Sequence, residues 1–168
     1  MRAPARYNLA LCERQLGDLD QARAELERYR TEFPSGPQGC QASFQLADLD
    51  ETAGRLSDAV TGFGRTLGLH PDPALAAETA FRLGRCHEQL GEGTAAIRAY
   101  VQAAACPDVD QPYRLSAVAR LAALYEVRHE TAHALAAYRD LIRNSKDREL
   151  TAAASDRVSQ LSAGQKPH

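Results

Sequence analysis

The stretch AFRLGRCHEQLGEGTAAIRAY, residues Ala80–Tyr100, is the clearest copy of a unit that the chain repeats four times. One residue in the middle of each copy sets the register, a glycine in three copies and a histidine in the fourth: Gly17, Gly54, Gly91 and His129. The steps between these positions are 37, 37 and 38 residues. A period of this length predicts a helical solenoid.

The same residue types recur on both sides of this turn position. Before it come a leucine and a small residue, and after it come an alanine and, four residues later, a large apolar residue. The leucines are Leu9, Leu46, Leu83 and Leu121, the alanines are Ala22, Ala59, Ala96 and Ala134, and the large residues are Leu26, Phe63, Tyr100 and Tyr138. Small residues let two helices approach closely while large ones fill the space around them. Each copy therefore predicts an antiparallel helix pair.

Residues typical of helix ends separate the predicted helices. Pro34, Pro71 and Pro107 should end the second helix of the first three pairs. The predicted N-terminal caps of the second helices are Asp20, Ser57, Thr94 and Thr131, because their side chains can accept from free backbone N–H groups. Three glycines inside the second helix of the second pair, Gly62, Gly64 and Gly68, should permit close packing or make a soft segment.

The pattern predicts an all-α chain of four antiparallel helix pairs with a ninth helix at the end. The pairs occupy residues 3–36, 37–73, 74–110 and 111–146, and the ninth helix, over 147–161, is predicted to cap the last pair. Residues 162–168 have no apolar stripe and are predicted to form a disordered tail.

Composition narrows the functional classes. The 20 basic and 22 acidic residues nearly balance, which argues against a nucleic-acid partner. No apolar run approaches the ~20 residues of a membrane span, and no signal peptide is recognisable, so direct membrane insertion is not expected. The sequence as written predicts a cytoplasmic protein, or a periplasmic one if it is part of a longer envelope protein. The localisation is therefore unknown.

Two patterns invite a chemical role. The string His129-Glu130-Thr131-Ala132-His133 matches the H-E-x-x-H of zinc proteases, but in the repeat register it falls on a hairpin turn and not inside a helix. The cysteines Cys12, Cys40, Cys86 and Cys106 have no C-x-x-C spacing. Cys12 and Cys86 share an apolar repeat position, which favours buried small side chains over a redox or metal role. We therefore predict no enzyme activity, no metal and no cofactor.

The chain resembles the tetratricopeptide repeat family. The resemblance rests on the leucine and small-residue pair, the turn glycine, the alanine and large apolar residue after it, and the closing proline, as in Leu46-Ala47, Gly54, Ala59, Phe63 and Pro71. The 37-residue period and the runs YNLA, FQLA and FRLG are similar to those of bacterial cell-envelope members that accompany the Tol-Pal system or outer-membrane assembly. The resemblance implies a right-handed superhelix whose first helices line a concave groove for a peptide or helix of another protein.

The resemblance also implies which residues face that groove: Tyr7, Asn8, Leu11, Phe44, Gln45, Asp48, Phe81, Arg82, Arg85 and Arg120. The arginines could bind a partner carboxylate, or they could pair internally, Arg82 with Glu78 and Arg85 with Asp48. The aromatic residues could likewise anchor a partner or pack between units. The carboxylate clamp of chaperone-binding relatives does not map onto these positions.

Two functional hypotheses remain. The first is a non-enzymatic scaffold that holds a partner protein or peptide in the concave groove. The second is a structural segment of a longer solenoid, or a self-association module, which uses the open first repeat with Tyr7, Leu9 and Leu11 near its end.

Overall fold

The computed structural model describes residues 2–108 and 112–163, and within them it forms α-helices and no strand. The helices are α1 (Ala3–Leu16), α2 (Leu19–Glu32), α3 (Gly39–Thr52), α4 (Leu56–Gly68), α5 (Pro73–Gln89), α6 (Gly93–Ala104), α7 (Pro112–Val127), α8 (Thr131–Asn144) and α9 (Arg148–Ala163). The predicted all-α repeat fold is confirmed.

The same turn ends the first helix of every pair. The turn residue has a positive φ of 86° at Gly17, 73° at Gly54, 76° at Gly91 and 59° at His129. The next backbone N–H then donates to a carbonyl five residues earlier, as in Asp18 to Glu13 at 2.9 Å and Glu130 to Tyr125 at 2.8 Å. This is the Schellman arrangement, in which a left-handed residue lets the chain cover the last carbonyls of a helix.

The second helices α2, α4 and α6 begin before their predicted caps, and α8 begins at its predicted cap Thr131. The residue after the turn directly precedes the second helix. For α2 this residue is Asp18, which caps the helix because its side chain accepts from the Gln21 N–H at 3.1 Å. The residues that precede α4, α6 and α8 make no side-chain cap. The predicted caps were therefore wrong, because a Schellman turn leaves no loop for them. Asp20, Ser57 and Thr94 are the second residues of their helices, and Thr131 is the first residue of α8.

The helices pack in chain order. Each helix contacts the next along the chain, and α5 also contacts α7 directly. The large repeat residues Leu26, Phe63 and Tyr100 are fully buried between the helices of their pairs. A Cβ on Gly84 would lie 2.6 Å from the Tyr100 ring, so the small residue there is required by the packing. Most residues of the repeated rows thus form the core, as predicted, while Leu9, Leu83 and Tyr138 are half-buried.

The three glycines of α4 differ from one another. A Cβ on Gly62 would lie 2.7 Å from the Cβ of Ala47, so α3 and α4 approach closely there. A Cβ on Gly64 or Gly68 would meet nothing within 4 Å. Close packing therefore explains Gly62 alone.

The last helix packs on the fourth pair. Ala154 is buried and Leu150 packs in the same cluster, with Val118 and Leu141. The helix continues through Ala163, two residues into the segment predicted as a tail, and residues 164–168 lie outside the described part of the chain. Within the described ranges no helix has both the length and the apolar content that a membrane-spanning segment needs.

Candidate functional site

The first helices α1, α3 and α5 are joined by a charged cluster, which we call the Arg82 network. Its members are Arg14, Gln45, Asp48, Glu51, Glu78, Arg82 and Arg85. Four of these were expected to face the groove. Arg14, Glu51 and Glu78 were not among the predicted groove residues.

Arg82 is the centre of the network. Its guanidinium contacts the Asp48 carboxylate, lies 3.0 Å from Glu51 and lies 3.3 Å from Glu78 on its own helix. Partial burial lowers the pKa of Arg82, but the carboxylates of Asp48 and Glu51 outweigh this and leave its pKa above the ordinary value. Arg82 is therefore a fixed cation that holds α3 and α5 together.

The rest of the network extends to both sides. Arg14 of α1 contacts Asp48 and the Gln45 side chain, and Arg85 of α5 contacts Glu51. Asp48 is only 4% exposed. The structure therefore forms the internal pairs that the sequence left open, but with one change: Asp48 pairs with Arg82 and Arg14, and the partner of Arg85 is Glu51.

The sequence spacing accounts for the parallel arrangement of these two pairs. Asp48 and Glu51 are three residues apart on α3, and so are Arg82 and Arg85 on α5. Each acid and its arginine are 34 residues apart. Residues three apart lie on the same helix face, so two parallel pairs form between equivalent faces of neighbouring units.

The groove aromatics mainly pack between helices. Phe44 is 7% exposed, its ring lies 5.7 Å from Phe63, and the Arg82 guanidinium lies 5.3 Å above it. Tyr7 and Phe81 are half-buried, with ring centroids 6.0 Å from Tyr29 and 5.7 Å from Tyr100 respectively. Phe44 is therefore a core residue, whereas Tyr7 and Phe81 each keep part of one surface open.

The most exposed charges of this surface are two arginines. The side chains of Arg85 and Arg120 are 41% and 51% exposed. Arg120 lies 3.5 Å from Glu88, a carboxylate that also accepts from the Tyr100 hydroxyl at 2.8 Å. These arginines, Glu88 and Gln89 line a cavity of about 470 Å³ between α5 and α7.

The remaining predicted groove residues lie on α1 and α3. Asn8 is exposed, and Leu11 and Gln45 are half-buried. Together with Arg85, Arg120 and the open faces of Tyr7 and Phe81 they form the accessible part of the predicted groove surface. Asp48 and Phe44, by contrast, are enclosed.

The H-E-x-x-H string lies at a hairpin turn, as its register predicts. His129 is the left-handed turn residue, Glu130 precedes α8, and His133 lies in the first turn of that helix. The Glu130 carboxylate accepts from Arg128 at 2.7 Å, and the His133 ring stacks on Tyr125 at 5.0 Å. The two histidines therefore do not share one continuous helix, and residues 2–108 and 112–163 hold no group of three metal-ligating side chains.

The cysteines have different environments. Cys86 is buried, and burial raises the pKa of its thiol to about 11. Cys12 is exposed, contrary to the prediction. Its equivalent Leu49 packs against the second helix of the preceding unit in a cluster with Leu26, and α1 belongs to the first unit of the chain.

Comparison with known proteins places the fold in one class. Two family models, both described as tetratricopeptide repeat, match residues 4–36 and 44–111, together more than half of the chain. The chain belongs to the tetratricopeptide repeat family. A search of curated protein sequences gave no significant match.

Solved structures agree with this assignment. A tetratricopeptide repeat protein from Parabacteroides merdae has a TM-score of 0.77 at 14% identity, with 96% of this chain and 60% of that one aligned. The MamA protein has a TM-score of 0.67 at 20% identity over 96% of this chain and 86% of that one. BtubC (BKLC) from P. vanneervenii has a TM-score of 0.64 at 16% identity, with 95% and 80% aligned.

These likenesses define the fold alone. The chain spans less than two thirds of the length of the Parabacteroides protein. None of the matches supports the cell-envelope subtype that the 37-residue period suggested.

Proposed function

We propose that this chain is a non-enzymatic scaffold that binds a segment of a partner protein on the surface of its first helices. Tetratricopeptide repeat folds generally mediate protein–protein interactions, which supports the class of function. We assign the site to part of the predicted groove surface. It consists of the accessible groove residues Asn8, Leu11, Gln45, Phe81, Arg85 and Arg120.

One observation carries this assignment: Arg85 and Arg120 remain 41% and 51% exposed on either side of an open cavity, while the residues around them are fixed. Arg82 and Asp48 join α5, which carries Arg85, to α3. A surface that is rigid and still has accessible guanidinium groups loses little conformational entropy when a ligand binds.

The surface defines the chemistry of the partner segment. Guanidinium groups bind carboxylates through two parallel N–H···O hydrogen bonds. The half-buried faces of Phe81 and Leu11 can cover apolar side chains. The proposed ligand is therefore a peptide or helix with an acidic residue that reaches Arg85 and Arg120, flanked by apolar residues.

Quantitative affinity purification from the source cells tests the proposal. The site variant is Arg85→Gln/Arg120→Gln, which neutralises the charges without inverting them. The matched control is Arg98→Gln/Arg139→Gln, because both arginines are exposed on second helices and form no ion pair in the described part of the chain. We expect the site variant to lose a partner that wild type and control retain. A partner list identical for all three proteins, with all three folded, would rule out this surface.

A specific observation also favours self-association or extension of the solenoid through the first unit. Ala5, Leu9 and Cys12 occupy the repeat positions of Ala42, Leu46 and Leu49, which are buried against α2. In the first unit Ala5 and Cys12 are exposed and Leu9 is half-buried, and Leu16 further along α1 is 81% exposed. This face of α1 matches surfaces that elsewhere contact a helix.

Sedimentation velocity distinguishes this role from the first. If the α1 face pairs two copies, the wild-type mass rises with concentration and Ala5→Glu/Cys12→Glu remains monomeric. The corresponding exposed-site control is Ala152→Glu/Ala153→Glu on α9. A wild-type protein that is monomeric throughout would exclude self-association.

A further inference from the structure

A second cleft lies between the second helices α2 and α4, where α3 forms its floor. It consists of two adjoining cavities of about 240 and 120 Å³. Both cavities are lined by Arg30, Ser43 and Arg65. The two arginines therefore stand at the junction of the cavities, on opposite walls of the cleft.

These two arginines are not neutralised by the cleft itself. In the larger cavity Asp50 is already bound by Arg23 and by Arg55, whose Nε donates at 2.9 Å, and Glu27 lies 3.7 Å from Arg23. Asp58 also lines this cavity. Neither Arg30 nor Arg65 forms an ion pair with any residue of the described ranges, and the described lining of the smaller cavity contains no carboxylate. The junction therefore has excess positive charge that suits an anion.

The smaller cavity is apolar. Phe33, Pro34, Ala42 and Leu69 contribute to its walls. Leu69 is 45% exposed, which is high for a large aliphatic side chain beside a cavity. A cavity of roughly 150 Å³ holds a benzene molecule, so about 120 Å³ accommodates one aliphatic side chain. It is too small for the long acyl chain of a fatty acid.

The repeat itself provides an internal comparison. One unit further along, between α4 and α6, Leu67 and Gln102 occupy the positions of Arg30 and Arg65. Between α6 and α8 the same register gives Ala104 and Asp140. Two of the three equivalent positions between second helices lack the arginine pair, so the fold does not require it.

We propose that the α2–α4 cleft binds the C-terminal residue of a partner peptide whose last side chain is aliphatic. The side chain fills the smaller cavity against Phe33 and Leu69, and the terminal carboxylate is held between Arg30 and Arg65. A terminal carboxylate lies two bonds from its own side chain, which matches an anion site directly beside a single-side-chain pocket. This site is separate from the first-helix surface, and its residues do not overlap with that surface.

Fluorescence anisotropy with the full chain tests the proposal. The probe is an N-terminally fluorescein-labelled octapeptide of alternating Gly and Ser that ends in leucine with a free carboxylate. We expect the C-terminal amide, and a version that ends in serine, each to bind at least tenfold more weakly. The expectation follows because hydrogen bonds to a charged group and burial of an aliphatic side chain are each large enough to change affinity tenfold.

Variants distinguish peptide binding in the cleft from non-specific electrostatic attraction. Arg30→Gln/Arg65→Gln should weaken binding of the acid peptide at least tenfold, and Leu69→Ser should weaken it severalfold. Arg98→Gln/Arg139→Gln should bind within twofold of wild type. Circular dichroism confirms that each variant is folded, which is expected because all four arginines are exposed.

Several results would overturn the proposal. The first is that the acid peptide does not bind at concentrations up to about 1 mM, which is on the order of the weakest specific affinities. The others are that the acid and the amide bind equally well, or that the cleft and control variants lose binding equally. Octanoate is the competing occupant, and a finding that it binds the cleft while the peptide does not would also reject the proposed ligand. Loss of partner capture in Arg85→Gln/Arg120→Gln is independent of all these outcomes, so the two proposals fail separately.

Discussion

Arginines play opposite parts in two sites of this molecule, the Arg82 network and the α2–α4 cleft. In the first-helix layer Arg82 contacts three carboxylates and its side chain is 24% exposed. In the second-helix layer Arg30 and Arg65 are exposed and line a cleft without an ion partner in the described ranges. Arg82 therefore joins neighbouring units, whereas Arg30 and Arg65 remain available to a ligand.

The distribution of acidic residues causes this difference. On α3, Asp48 and Glu51 face the arginines of α5, so the first helices are joined by charge. In the cleft the Asp50 carboxylate is bound by Arg23 and Arg55. The role of an arginine in this repeat therefore depends on the residue that faces it from the neighbouring unit.

The largest expected effect is the loss of Asp48. In Asp48→Ala, Arg14 keeps only the Gln45 side chain and Arg82 loses one of its three carboxylates. Because removing one partner leaves a partly buried charge uncompensated, the free energy of unfolding should fall by about 2–3 kcal/mol. Urea denaturation at pH 7 measures this change.

The control for that measurement is Asp156→Ala, an exposed carboxylate on α9. It should change the free energy of unfolding by less than ~0.5 kcal/mol, as is usual for surface positions. Equal effects of the two substitutions would mean that the Arg82 network does not stabilise the fold.

A smaller effect tests the floor of the cleft, where α4 approaches α3. Gly62→Ala places a Cβ 2.7 Å from that of Ala47, and the forced separation should cost about 1–2 kcal/mol. Gly64→Ala is the matched substitution one half-turn away, where a Cβ meets nothing within 4 Å. It should stabilise the helix by about 0.5–1 kcal/mol, since alanine is the better helix former.

Thermal unfolding of both glycine variants gives the comparison directly. Opposite signs of the change in Tm are expected. If both substitutions stabilise the protein, the close approach of α3 and α4 at Gly62 is wrong.

The smallest effect concerns a third kind of arginine, one that is paired at an exposed site. Arg157 of α9 donates to Glu126 of α7, with Nε 3.1 Å from Oε1. This hydrogen bond lowers the pKa of Glu126, and partial burial opposes it. A carboxylate with a lowered pKa stabilises the fold above its unfolded pKa, and this contribution is lost as the pH falls through the folded value.

Thermal unfolding between pH 7 and pH 3 measures that contribution. Wild type should lose stability more steeply than Glu126→Gln below about pH 4.5, near the unfolded pKa of glutamate. Parallel curves for the two proteins would show that the pair does not couple α9 to α7.

The sequence predicted the paired helices α1 to α8 because each pair is encoded by one copy of the repeat. The four turns and the rows of leucine, alanine and aromatic residues recur at one register, so each copy confirms the others. The helix caps were mispredicted because the Schellman turn joins two helices without an intervening loop, and residue type alone does not reveal that. The exposure of Cys12 was missed because burial of this position depends on the preceding unit.

The charged site was only partly predictable. The pair of Arg82 and Glu78 follows from helical spacing, and the structure has it at 3.3 Å. The contacts of Asp48 and Glu51 with α5 depend on the rise from one unit to the next, which the period does not specify. The cleft between α2 and α4 could not be predicted, because its residues come from three helices whose separation is set by packing.

The most direct test of the difference between the two layers is urea unfolding of two arginine variants side by side. Arg82→Gln should lower the free energy of unfolding by about 1–2 kcal/mol, because Asp48 and Glu51 lose a charged partner. Arg30→Gln/Arg65→Gln should lower it by less than ~0.5 kcal/mol although it removes two charges. A larger loss in the double variant than in Arg82→Gln would contradict the account.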